Sequence, residues 1–287
     1  MPGSREPSPR PPSLWPSTPA GSPPPGGAAP DWSGQFTGYA GQSWQQAWGY
    51  TPQSGWGQAQ LTAVADPSAP GGGLVLQVAY GEGSSANSCA GCPGPGGGQF
   101  YTSFASAGQP ALAAASVVYL RYYVKFPAGF DFGRGGKLPG LYGGPPGQES
   151  GGRHGQAFST RYMWRNHPVA GSLGGCSSSV ACAEVYLYTP LGSGYGQDVG
   201  GTWNWQGDGR WHMIEQRVDR ASGAITVWYD GSQVLSATGV LSGASGIPFS
   251  GVLFSTFFGG HDTSWGPSVN EHAYFADFAV GTSPVGP

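Results

Sequence analysis

After Phe36 the chain alternates apolar and polar positions with a period of two, the signature of strands whose successive side chains point to opposite faces. Between 117 and 126, Val118, Leu120, Tyr122, Val124 and Phe126 fall on one face, and Tyr119, Arg121, Tyr123 and Lys125 on the other. This predicts a half-buried strand. Residues 74–80 predict another. Across 157–165, Phe158, Thr160, Tyr162 and Trp164 share one side, and Ser159, Arg161, Met163 and Arg165 the other. Residues 184–189 repeat the device, with Tyr186 and Tyr188 opposite Val185 and Leu187. Four further strands are expected at 211–218, 224–229, 252–258 and 274–280. They are separated by turn residues at 220–223 and by Asp230-Gly231, which reads as a hairpin turn. No intervening stretch has a helical period, so the expected fold is all-β, an antiparallel β-sandwich of jelly-roll type.

Composition changes this picture at the N-terminus. Residues 1–30 are dominated by Pro, Ser, Gly and Ala, with Leu14 and Trp15 as the only large apolar side chains. Such a segment cannot bury a core and is expected to be a disordered tail. Residues 31–287 are expected to form one domain. Only 9% of the chain is charged, yet 11 Trp, 14 Tyr and 13 Phe supply ample core material. Residues 31–60 are especially aromatic. Their Trp residues could offer sugar-stacking faces, but packing over a sandwich edge is the preferred reading.

A net charge of −3 gives no global attraction to nucleic acid or to anionic membranes. No run has the apolar length of a transmembrane helix, and no apolar secretion-signal region is visible. A monomer with neither nucleic-acid nor membrane partners is expected. The four cysteines form two short-range pairs, Cys89/Cys92 and Cys176/Cys182. They are expected to be disulfide staples of an extracellular or secretory-pathway protein, with zinc as the competing reading.

The chemistry-bearing residues gather around a glycine-rich segment, 133–144, that holds Lys137, one of only two lysines. A loop with a single long cation is expected there. A second Gly/Pro loop is expected at 143–155, and a Gly/Ser/Cys loop runs through Gly98. Glycoside hydrolysis needs a carboxylate pair across one bond, and no alternating acidic motif is present. Glu215 is the best single acid, but with His212 it is expected to be structural. A serine triad lacks its elbow around Ser159, and His261, Asp262 and His272 form no metal-ligand motif.

What remains is Lys137, Ser159, Arg161, Tyr186 and Tyr188, a set suited to β-elimination from a uronic acid. A cation paired with the uronate carboxylate stabilises the enolate-like transition state. A tyrosinate or a lysine can take the C5 proton, and a phenol can protonate the departing O4. This chemistry calls for no metal or organic cofactor. The rival class is a carbohydrate-binding protein that keeps the fold and groove without an acid/base pair.

Residues from about 100 to 281 resemble the polysaccharide lyase family 14 domain of alginate and glucuronan lyases. The resemblance rests on residues 119–132, on Gly135-Gly-Lys-Leu-Pro-Gly-Leu-Tyr-Gly-Gly144, on Phe158-Ser-Thr-Arg-Tyr-Met-Trp164, on Tyr186-Leu-Tyr188 and on Ser255-Thr-Phe-Phe-Gly-Gly260. It implies a jelly roll whose cleft is lined by Lys137, Ser159, Arg161, Tyr186 and Tyr188, acting on an acidic polysaccharide. Tyr142, Trp164 and Arg165 are further candidate substrate contacts, with Lys125 and Arg165 expected as charges at the cleft edge or surface. The loop from Cys176 to Cys182 departs from the family pattern.

Overall fold

The structure, a computed structural model, describes residues 26–36, 43–94, 96–166 and 181–287. In chain order the first strands are β1 (Trp32–Gly34), β2 (Tyr50–Trp56), β3 (Leu61–Ala65), β4 (Leu74–Tyr80), β5 (Gly98–Thr102), β6 (Val117–Lys125), β7 (Gly135–Leu138) and β8 (Gly140–Gly143). They continue as β9 (Phe158–Arg165), β10 (Cys182–Tyr188), β11 (Gln197–Asn204), β12 (His212–Asp219), β13 (Ala224–Tyr229), β14 (Ser232–Ala237), β15 (Phe249–Phe258) and β16 (Glu271–Gly281). The α-helices among the described residues are short, at Trp44–Ala47 and Pro110–Ala114, and no described helix is long and apolar enough to cross a membrane.

Among the described residues the strands form two antiparallel sheets of eight. One has the order β14-β13-β12-β6-β16-β4-β3, with β1 beside β16. The other runs β11-β10-β9-β7-β15-β5-β2, with β8 beside β15 and β9. Chain neighbours are often not sheet neighbours, as expected of a jelly-roll sandwich. The apolar faces meet in one core, where Phe100 stacks on Phe254 at 4.6 Å and Tyr122 on Phe278 at 4.8 Å. Aromatic pairs in such geometries add to the stabilisation from burial. Asp230 and Gly231, both at positive φ, make the tight β13–β14 turn, as the Asp-Gly pair predicts.

Three expectations change. β6 is covered on both faces, because Tyr119 packs with Trp228 and Val285 and Arg121 is held by Asp277 and by the Gly286 carbonyl. The C-terminus thus roofs the face expected to be solvated. Lys137 lies on a strand, β7, rather than in a loop. Gly136 faces the Trp164 indole so closely that a Cβ would sit 2.1 Å from a ring carbon, so glycine there makes room for core packing. Finally, the Ala28 amide donates to the Pro284 carbonyl at 2.9 Å, so residues expected in the tail already touch the domain. Trp32, Phe36 and Trp48 join the core, whereas Trp56 does not.

Candidate active site

The outer face of the second sheet, opposite the core, carries the candidate chemistry, and strand parity decides what points there. On β9 the residues Ser159, Arg161, Met163 and Arg165 face outward while Phe158, Tyr162 and Trp164 enter the core. Register then assembles the site. Tyr186 on β10 sits opposite Arg161, and Tyr188 opposite Ser159. Lys137 on β7 lies between Met163 of β9 and Phe257 of β15. These side chains floor a cavity of about 700 Å³ lined by Lys137, Arg161, Met163, Arg165, Tyr186 and Tyr188. Its walls come from residues 54–56, from 86–88, from the 147–153 loop, and from Tyr195, His261 and Trp265.

Lys137 is 9% exposed. Its Nζ donates to Met163 Sδ at 2.8 Å and lies 3.7 Å from the centre of the Tyr186 ring. Burial, and then the nearby guanidiniums of Arg161 and Arg165, hold the Lys137 ammonium well below the usual lysine range. An amine so placed is a base. Burial likewise raises the Tyr186 phenol, with Tyr188 adding to the effect, so it stays protonated. Tyr188 stacks on His154 at 5.5 Å. Its hydroxyl oxygen accepts the Gly152 amide at 3.2 Å, which leaves the phenolic hydrogen to be donated.

The arginines differ. Arg165 Nε donates to Glu184 at 2.7 Å, and its Nη2 donates to Asp198 at 2.5 Å. Burial pushes the Glu184 carboxyl up to about 8, so Asp198 carries the main countercharge, and with Nε and Nη2 both occupied the buried guanidinium has little attraction for a further anion. Arg165 lines the cavity, but as a neutralised wall rather than the edge charge expected. Arg161 donates through Nη1 to Ser255 Oγ at 3.2 Å, while its buried Nε has no partner. Arg161 therefore keeps a donor that no group among the described residues uses.

Other expected contacts lie elsewhere. Trp164 is 0% exposed and donates its indole N–H to the Phe132 carbonyl at 2.7 Å; the parity that puts Arg161 in the cleft puts Trp164 in the core. Tyr142 is buried against Tyr101 and Leu253, with its hydroxyl donated to the Thr102 carbonyl. Ser159 is beside the site but does not line the cavity, its hydroxyl being donated to the Glu149 carbonyl at 3.0 Å. Lys125 lies on the other sheet, paired with Asp66 and placed over Trp211 and Tyr274. Glu215 is structural, as expected, for its carboxylate accepts the Val285 and Gly286 amides. His212 is held by Asp208 and Asp230.

Glu149, Gln99 and Ser255 escaped the sequence reading, as did the carboxylates that hold Arg165. Ser255 lay within a quoted motif. Glu149 sits in a loop where no periodicity shows which way a side chain points.

Cys89 and Cys92 are disulfide-bonded in the loop that supplies residues 86–88 of the cavity wall. Cys182 is also oxidised, whereas Cys176 lies outside the described residues. Among the described residues no group of three or more His, Cys, Asp or Glu is arranged to hold a metal ion.

The floor of this cleft in a two-sheet jelly roll thus gathers one buried amine, two guanidiniums and two phenols. The profile of polysaccharide lyase 14 matches residues 68–278, and the chain belongs to that family. Among solved structures it is similar to the PL-14 alginate lyase of Aplysia kurodai, at 25% identity and a TM-score of 0.68, over 88% of this chain and 99% of that one. An alginate lyase from Chlorella virus shares the fold at 21% identity and a TM-score of 0.57, over 77% and 89% of the two chains. So does the endo-β-1,4-glucuronan lyase of the fungus Trichoderma reesei, at 11% identity and a TM-score of 0.54, over 90% and 98%. No curated protein matches the chain.

Proposed function

We propose that this polysaccharide lyase cleaves a polyuronate, alginate or glucuronan, by β-elimination, leaving an unsaturated uronate at the new non-reducing end. The observation that carries the reading is the buried Lys137 amine beside two guanidiniums and two phenols in one cleft. Alginate and glucuronan lyases among the similar structures support the substrate class.

The uronate carboxylate is received by Arg161, whose charge stabilises the enolate-like transition state and so acidifies the C5 proton. Lys137, unprotonated because of its surroundings, takes that proton. The C5–H electron pair becomes the C4–C5 double bond as the bond from C4 to O4 breaks. Tyr188 donates its phenolic hydrogen to O4, and the Gly152 amide bonded to its oxygen holds the phenol in place. Return of the proton from Lys137 to Tyr188, directly or through solvent, resets the site.

Tyr186 serves as the surface on which Lys137 rests. Ser159 anchors the 147–153 loop rather than touching the sugar. The protein acts as a monomer in an oxidising, extracellular or secretory compartment, where the Cys89–Cys92 bond persists.

The reading is tested by incubating the protein with alginate and with glucuronan and following the ultraviolet absorbance of the unsaturated product. Wild type is expected to generate it from at least one polymer. Tyr188→Phe is expected to lose at least about a hundredfold in kcat while still binding polymer in calorimetry. Binding without product in the wild type would reduce the cleft to a carbohydrate-binding groove.

A further inference from the structure

Along the floor of the cleft, which Gln99 itself lines, a line of buried side chains runs from Arg161 to a carboxyl group that the proposed chemistry does not use. Arg161 Nη1 donates to Ser255 Oγ at 3.2 Å. Ser255 Oγ donates to Gln99 Oε1 at 2.9 Å. The Gln99 amide donates to Tyr101 OH at 3.3 Å and to the Ser54 carbonyl at 3.0 Å. Tyr101 OH donates to Glu149 Oε1 at 2.6 Å. The chain crosses from β9 to β15 and β5 and ends in the loop that walls the cleft.

Its bonds all point one way. A guanidinium can only donate and a backbone carbonyl can only accept, while hydroxyls and amides can do both. With Arg161 donating at one end and the Ser54 carbonyl accepting from Gln99, Ser255 and Gln99 each have one consistent orientation. Glu149, whose carboxyl is held above its usual range by burial, accepts from Tyr101. Turning the Gln99 amide over would set its oxygen against the Ser54 carbonyl and its nitrogen against Ser255. The far end is held at a cost, because Ser54 has a positive φ of 59° where the β2–β5 register shifts. Glu149 is 0% exposed, and the Ser159 hydroxyl also grips its backbone carbonyl. A fully buried acid in a glycine-rich surface loop is costly unless it does a job.

We infer that Glu149 is a positioning residue for Arg161, acting through Tyr101, Gln99 and Ser255 to fix the plane of the guanidinium that receives the uronate carboxylate. The inference rests on the lyase reading for the identity of that anion, but the geometry of the relay stands apart from it. Orientation matters because a carboxylate is bound by two parallel N–H bonds only when the guanidinium plane is correctly turned. The relay also ties Arg161 to the loop whose Gly152 amide meets Tyr188, so carboxylate recognition and proton donation are aligned by one network.

The test uses Ser255→Ala, Gln99→Glu, Glu149→Leu and Glu149→Gln in the full chain. Gln99→Glu accepts from Ser255 but cannot donate to Tyr101 or Ser54, so it reverses the relay without emptying space. On whichever of alginate and glucuronan the wild type cleaves, Ser255→Ala is expected to lower kcat about tenfold or more with KM changed less than about threefold. Gln99→Glu, which also sets a carboxylate in the cavity lining, is expected to lower kcat at least as much and to raise KM. Glu149→Gln keeps an acceptor for Tyr101 and is expected to restore most of what Glu149→Leu loses. The double variant of Ser255→Ala with Glu149→Leu is expected to be no worse than the poorer single variant, because one chain is cut in both.

A second readout needs no turnover. The Arg161 Nε–H resonance, assigned by its loss in Arg161→Lys, is expected to show a restrained guanidinium in wild type and freer rotation in Ser255→Ala. If Glu149→Leu fails to fold, Ser255→Ala, which removes one hydroxyl, carries the test. Normal kcat and an unchanged Arg161 resonance in both Ser255→Ala and Gln99→Glu would overturn the relay. Absence of unsaturated product from wild type on both polymers would instead overturn the lyase reading, and the resonance would still decide the relay.

Discussion

Lys137 combines two properties that oppose each other, since the burial that suits it to the proposed role of base also makes it a poor contributor to stability. Its folded pKa is depressed, while in the unfolded chain it titrates as an ordinary lysine. Between those values the unfolded state holds more protons than the folded one, so this residue makes stability rise with pH until the unfolded lysine itself titrates. Lys137→Met, which keeps the stem and removes the amine, is expected to raise the melting temperature at neutral pH, by about 2–4 °C per kcal/mol relieved, and to abolish turnover. Melts across pH check the first outcome and product absorbance the second. The same depression sets the activity profile. The free amine is the working form, so kcat/KM is expected to rise with pH on a limb well below the ordinary lysine pKa of about 10.4. Lys137→Arg, charged at every accessible pH, is expected to show no such limb because it shows no turnover.

At the scale of elements, β7 shows how a strand can be hidden in its sequence. Glycine usually marks a loop, and six of the residues from 133 to 144 are glycine, so period-two reasoning had no side chains to count. Gly136 is there because the Trp164 ring fills the space of its missing side chain. Gly136→Ala is therefore expected to destabilise the protein by about 1–3 kcal/mol through overpacking and to displace the adjacent Lys137, lowering kcat; denaturant unfolding and turnover measured together check it. By contrast β6, β9 and β10 were legible because large apolar residues alternate with polar ones, and the same parity showed Ser159, Arg161, Tyr186 and Tyr188 leaving the core. The relay to Glu149 was not legible. It joins residues far apart in the chain through register, and one of them sits in a loop without a period.

The 86–88 wall depends on a local clasp. Removing it with Cys89→Ser and Cys92→Ser is expected to cost about 2 kcal/mol or less, as so short a loop restricts the unfolded chain little. The change is expected to raise KM more than it lowers kcat, because those residues border the cavity rather than floor it. Thermal melts and steady-state kinetics read the two effects.

The whole molecule separates closure from chemistry. One sheet is partly covered on its outer side by Val285 and Gly286, which lie against Tyr119 and Arg121, while β1 joins it beside β16 and Asp31 accepts the Thr282 amide at 2.7 Å. Glu215 accepts two amides of the C-terminal segment there, so deleting residues 285–287 strands a buried carboxyl. That deletion is expected to cost roughly 1–3 kcal/mol or more in stability while leaving KM close to wild type, since the seal lies on the sheet remote from the cleft. The other sheet has a cleft on its outer face, walled by loops, where Lys137, Arg161 and Tyr188, the proposed base, anion receptor and acid, stand on adjacent strands. A rigid sheet sets their spacing, and the loops shape access for a polymer.

Elimination and hydrolysis at this cleft would leave different marks on the released oligosaccharides, which mass spectrometry of products from alginate and glucuronan in heavy-oxygen water separates, with wild type and Lys137→Ala side by side. Unsaturated ends that carry no heavy oxygen at the cleaved bond are expected from wild type, and no products from Lys137→Ala. Saturated fragments labelled with heavy oxygen, or undiminished product from Lys137→Ala, would contradict elimination with Lys137 as the base.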